Sequence, residues 1–132
     1  MLTIASLLSA CSQEQNDVLR EYTSVGNADA DISLIIFDDK TFKMDVEILN
    51  ANSKNDVILY VGNWAVEPDN HMILSFDPLQ NKGKNPKYLF YDGNGVKMPE
   101  HNSVEMLDEY TFEFNKNDKC IFIWNIMSCL SK

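Results

Sequence analysis

Two histidines, three cysteines and one acidic, glycine-rich turn are the parts of this sequence whose residue types could do chemistry. His71 follows Asp69 at a turn, and His101 lies in the loop Pro99-Glu100-His101-Asn102. Structural zinc needs four nitrogen or sulfur ligands at close spacing, so both histidines read as solvated loop residues and no metal is expected. Nucleophilic catalysis needs a Ser or Cys within reach of a base. Neither a G-x-S-x-G elbow nor a Cys-His signature is present, so no catalytic residue and no cofactor is assigned. Asp92-Gly93-Asn94-Gly95 invites a calcium reading but lacks the third oxygen ligand, the sixth-position Gly and the closing Glu of an EF-hand. It reads as a turn.

Cys11 follows the uncharged run MLTIASLLSA and precedes the polar stretch Ser12 to Asp17. So short a run cannot cross a hydrocarbon core of about 30 Å, which takes about 20 residues. Leu8-Ser9-Ala10-Cys11 resembles a bacterial lipobox: a branched apolar residue, two small residues that open the backbone to a peptidase, and a thiol able to form a thioether to diacylglycerol. It departs from a secretory signal in having no Lys or Arg before Arg20. The resemblance implies an acylated mature Cys11 and a lipid-anchored place in the cell envelope, at the outer membrane of a Gram-negative bacterium. Several acyl chains hold a protein where a single one binds marginally.

With Cys11 lipidated, Cys120 and Cys129 remain as an even pair in an oxidising compartment. Nine residues of strand would separate their Cα atoms by about 30 Å, against the roughly 4.4–6.8 Å of a disulfide. A bridge therefore requires the chain to reverse, with Asn125 to Ser128 as the turn. The alternative is an inert core thiol at Cys120, in line with Phe122 and Trp124.

These residues must be positioned by strands. Thr41 to Ile48 alternates without a break, Phe42, Met44, Val46 and Ile48 on one face and Lys43, Asp45 and Glu47 on the other, a period of two that no helix accommodates. Ile32 to Phe37 precedes it across Asp38-Asp39-Lys40, whose carboxylates can bond their own backbone. Val57 to Val66 and His71 to Phe76 repeat the hairpin across Glu67-Pro68-Asp69-Asn70. Tyr88–Tyr91, Ser103–Leu107, Tyr110–Phe114 and Lys119–Trp124 complete about eight strands. The expected fold is all-β, an antiparallel meander closing into a small barrel or sandwich over residues 31–132. Before it come a signal segment at 1–10 and a polar tether at 11–30, with room for a short helix over Asp17 to Tyr22.

The stretch Val61-Gly62-Asn63-Trp64, then Met72 to Phe76, Tyr88 and Asp92-Gly93-Asn94-Gly95, resembles the rhythm of small envelope lipoproteins with lipocalin-like or copper-resistance (NlpE-type) barrels. No C-x-x-C pair follows the first strand. Such a barrel could hold one small apolar ligand, in which case Trp64, Phe76, Phe90, Phe112, Phe122 and Trp124 would line the cavity; otherwise they form the core.

In 132 residues there is room for one domain. Eleven basic against twenty acidic side chains give a formal net charge of -9, which argues against nucleic acid as a partner. The function expected is a non-enzymatic, membrane-anchored envelope lipoprotein with a ligand- or protein-binding β domain. Its partner would be a basic protein, a hydrolase or toxin met as inhibitor or immunity factor, or a small apolar ligand that it carries.

Overall fold

The computed structural model describes residues 17–26, 29–50 and 54–131. Signal segment 1–10, Cys11 and the first part of the tether lie outside them. Nine antiparallel strands form one sheet: β1 Val18–Ser24, β2 Ala30–Phe37, β3 Thr41–Ile48, β4 Asp56–Val66, β5 His71–Phe76, β6 Glu105–Asp108, β7 Thr111–Asn115, β8 Cys120–Ile123 and β9 Ile126–Leu130. Alternation sets the faces, on β3 as expected. Ile32, Leu34 and Ile36 of β2 and Phe42, Met44 and Val46 of β3 point inward, buried, while Lys43, Asp45 and Glu47 point out.

The order across the sheet is β6-β7-β5-β4-β3-β2-β1-β9-β8, which puts β7 next to one edge and β8 at the other. Yet only Lys116 to Lys119 join them. Four connecting residues span at most about 18 Å, far less than the width of a flat sheet with strands about 4.8 Å apart. The sheet therefore curls into a half-barrel, and Tyr22 of β1 meets Phe114 of β7 across the interior with ring centroids 5.7 Å apart. Phe76 stands at the centre, edge-to-face with Phe42, Tyr60 and Phe112, and Phe90 packs on Phe112 at 4.7 Å.

The open side between the sheet's two edges is filled by the segment between β5 and β6, which buries Leu89, Phe90 and Val104. Its hydrogen bonds to the β8 main chain come from one side chain. Asn102 donates from Nδ2 to the Phe122 carbonyl at 2.9 Å and accepts from the Phe122 amide at 3.1 Å, standing in for a neighbouring strand. Asn81 does the same for Val61, at 2.8 and 3.0 Å, where β5 no longer accompanies β4.

Three expectations are corrected. The sheet begins at Val18 and not at Asp31: β1 pairs with both β2 and β9, so the later part of the tether is a strand and the helix over Asp17 to Tyr22 does not form. Arg20, Tyr22 and Ser24 alternate with Glu21 and Thr23, a period of two hidden by polar inward residues. Tyr88–Tyr91 is not a strand, because Pro86 starts a single 3-10 turn, Pro86–Leu89, capped by the Asn85 side chain on the Lys87 amide. Finally, the last reversal falls at Trp124-Asn125 and not at Asn125 to Ser128. Both turn residues take positive φ, 54° and 60°, as a two-residue type I′ hairpin requires, and the rest of the presumed turn becomes β9.

That hairpin places Cys120 directly opposite Cys129, and the two form a disulfide. Ile121 and Ile123 take the inward positions of β8, so Cys120 is not a core thiol. Closing so short a loop restricts the unfolded chain by about 2–3 kcal/mol. Replacing both cysteines by Ser is expected to lower unfolding stability by that amount, read as a reduced urea midpoint with an unchanged far-ultraviolet spectrum.

Candidate functional site

The six aromatic residues suggested as cavity lining part company in the fold. Phe76, Phe90 and Phe112 are fully buried against one another and the core, so they fill the interior instead of lining a space in it. Phe122 points outward, between inward Ile121 and Ile123, with its ring edge-to-face with His101 at 5.3 Å. Trp124 is 36% exposed at the hairpin tip. Its amide donates to the Leu89 carbonyl at 2.6 Å. Trp124 borders two smaller hollows, of about 260 and 90 Å³, and Trp64 faces a cleft of about 430 Å³, at the end of the half-barrel where β1 begins. Its volume lies in the range of small-molecule sites.

The walls of that cleft come from four strands. Val66 of β4 and Met72 of β5 are register partners, and Ile36 reaches in from β2. The β1–β2 pairing shifts register between Val18 and Arg20, and the irregularity brings consecutive residues Leu19 and Arg20 to the same cleft. Trp64 is held from three directions. Its indole N–H donates to the Phe37 carbonyl at 2.7 Å, its backbone amide to the Lys40 carbonyl at 2.9 Å, and the Lys40 ammonium lies 4.2 Å from its ring centroid. Lys40 adopts φ 75° in the β2–β3 turn, a conformation in which a non-glycine residue is uncommon.

Charge gathers here against the sign of the chain. Arg20, Lys40 and Lys116, three of the eleven basic residues, line this one cleft, and among the described residues no carboxylate lines it or forms an ion pair with any of the three. Arg20 Nη1 donates to the Tyr22 hydroxyl at 2.9 Å and to the Lys116 carbonyl at 2.5 Å, which fixes the guanidinium and the β7–β8 turn together. Burial pushes the Tyr22 phenol above its ordinary value of 10.0, with the Arg20 hydrogen bond acting the other way, so at neutral pH the phenol accepts this bond as an uncharged group.

From the sequence, Arg20 falls in the tether and Lys40 in a turn, and neither they nor Lys116 is singled out. Nothing in their spacing could have joined positions 20, 40 and 116. His71 also departs from expectation. It is the first residue of β5, its Nδ1 3.0 Å from Asp69 and 3.7 Å from Glu113 of the neighbouring strand, rather than a solvated loop residue. None of these three lines the Trp64 cleft. Among the described residues no three His, Cys, Asp or Glu side chains are arranged to hold a metal ion. The Asp92 carboxylate accepts from the Asn94 and Val96 amides at 2.8 and 2.9 Å, as a turn-forming aspartate does.

No family model, curated protein or solved structure matches this chain.

Proposed function

We propose that this chain is a non-enzymatic, lipid-anchored envelope protein whose β module binds a small, largely apolar molecule at the Trp64 cleft. The observation that carries the reading is the cleft itself: about 430 Å³, walled by Leu19, Ile36, Val66 and Met72, with an indole held by its N–H bond to the Phe37 carbonyl. Preorganised aromatic surface binds without first being ordered. The filled interior directs a carrier role to this end of the half-barrel. Support for the anchor comes from Leu8-Ser9-Ala10-Cys11.

A second reading, an inhibitor or immunity factor for a basic hydrolase or toxin, draws on the outer face of β2 and β3. There Asp31 and Glu47 are directly opposed and Asp45 is two residues from Glu47. Like charges directly across a sheet are unfavourable, and a cationic partner would relieve them.

One experiment addresses the first reading in two steps. Cys11→Ser is expected to move the full chain from the membrane fraction of its host into the soluble extract, still folded. That soluble protein is then expected to bind one equivalent of the neutral fluorophore N-phenyl-1-naphthylamine, at least about tenfold more weakly after Trp64→Ala, which removes an aromatic contact of the class that dominates binding sites. Unchanged fractionation would reject the anchor. Probe binding indifferent to Trp64 would reject the site.

A further inference from the structure

We infer that the Trp64 cleft takes a small amphiphile bearing one carboxylate, its tail against Trp64, Val66 and Met72 and its head among Arg20, Lys40 and Lys116. The inference rests on the ligand-binding reading above and deepens it by naming the chemistry of the ligand.

A chain of net charge -9 has few cations to distribute, and most of its basic side chains could be solvated anywhere on the surface. Three instead converge on one cleft from β1, the β2–β3 turn and the β7–β8 turn. An apolar ligand alone would give no reason to line its site with cations, since each must be partly dehydrated when the ligand covers it.

Two of the three are also held in place. The Arg20 guanidinium uses Nη1 to bind Tyr22 and the Lys116 carbonyl, while Nη2 and Nε have no protein partner among the described residues. The Lys40 ammonium stands over the Trp64 ring with none of its three donors bonded to a described residue. A carboxylate accepts several such bonds at once, and bonds between ionised partners are the strong ones. Asp38 and Asp39 share the β2–β3 turn with Lys40 but do not line the cleft. Asp118 of the β7–β8 turn acts on the Tyr22 phenol but does not line the cleft either, so the charged side chains lining it are the three cations.

The apolar walls define the remainder. Trp64 and Met72 belong to the buried core and Val66 lies at the rim, so the cleft offers apolar surface directly beside its cations, with the Lys40 ammonium over the Trp64 ring, as an amphiphile requires.

The test compares decanoate, 1-decanol and decyltrimethylammonium as displacers of N-phenyl-1-naphthylamine from the full chain carrying Cys11→Ser. Decanoate is expected to bind at least about tenfold tighter than 1-decanol, and the cationic analogue more weakly than either. The double variant Lys40→Gln/Lys116→Gln should erase the preference of decanoate over decanol, Lys40→Arg/Lys116→Arg should restore it, and Lys119→Gln, outside the cleft, should leave it intact. Equal binding of decanoate and decanol, or a preference that survives the double Gln variant, would overturn the inference. In that event, probe binding still lost in Trp64→Ala would keep the broader ligand-binding reading standing; failure of the neutral probe and of all three amphiphiles to bind would bring down both.

Discussion

Gly62→Ala is expected to destabilise the module by about 3 kcal/mol and to lower Tm by about 10 °C. Gly62 lies on the inward side of β4, opposite Phe76 of β5. A methyl group there would run into the Ser75 carbonyl oxygen and come within 2.7 and 2.9 Å of the Phe42 ring, well inside van der Waals contact. Neither neighbour can move away cheaply. The carbonyl belongs to the β4–β5 ladder, and the Phe42 ring is edge-to-face with Phe76 at a centroid distance of 5.0 Å. The glycine is therefore needed for the close approach of a ring and a backbone, not for an unusual backbone angle. Thermal unfolding monitored by near-ultraviolet dichroism checks this. Phe42→Leu in the same chain should recover part of the loss, because the ring clash disappears while the carbonyl clash stays, so the two substitutions should be non-additive. A loss below about 1 kcal/mol would show that the strand relaxes where rigidity is argued here.

Asn102→Ala is expected to cost about 2–6 kcal/mol, from roughly 1–3 kcal/mol for each of two main-chain groups left without a partner. Asn102 is only 3% exposed, and it is the Phe122 main chain that its amide satisfies in both directions. Because β8 is the terminal strand of the sheet, no other strand can take over. Local behaviour should follow. Amide hydrogen exchange at Phe122 should accelerate far more than at Ile35, which lies in the centre of the sheet on β2. Asn102→Asp should also fail to rescue, since a carboxylate accepts from the Phe122 amide but has no hydrogen to give its carbonyl. Asn94→Ala, in an exposed turn, is the control and should stay within about 0.5 kcal/mol of the parent. Equal exchange rates in Asn102→Ala and the parent would mean that this closure is carried elsewhere.

Both residues show where reading the chain alone stops. The alternation from Thr41 to Ile48 identified a strand and its buried face before any fold was known, because each side chain's direction follows from its parity along an extended backbone. Turn chemistry worked the same way at Glu67 to Asn70, where Asn70 adopts φ 71° and its short amide side chain tolerates that conformation. Where inward positions were polar, the same rule went unread: β1 carries Arg20 and β9 carries the fully buried Ser128 at positions that face inward. Tyr88 to Tyr91 was the opposite error, since apolar residues there are buried by filling a gap between sheet edges, without joining a ladder. Phe122 and Trp124 were assigned inward by continuing an alternation whose parity was off by one, and a slip of one residue exchanges the two faces of a strand.

Local periodicity and composition suffice for an all-β chain of short strands, for the inward face of β3, and for an acidic chain with few cations. Tertiary structure alone decided that the four-residue link from β7 to β8 curls the sheet, that Asn102 closes its open side, and that Arg20, Lys40 and Lys116 meet around Trp64. The physical reason is distance along the chain. Strand direction is settled within a few residues, whereas which strands become neighbours depends on contacts between segments far apart in sequence, and a site assembled from positions 20, 40, 64 and 116 exists only once those contacts have formed.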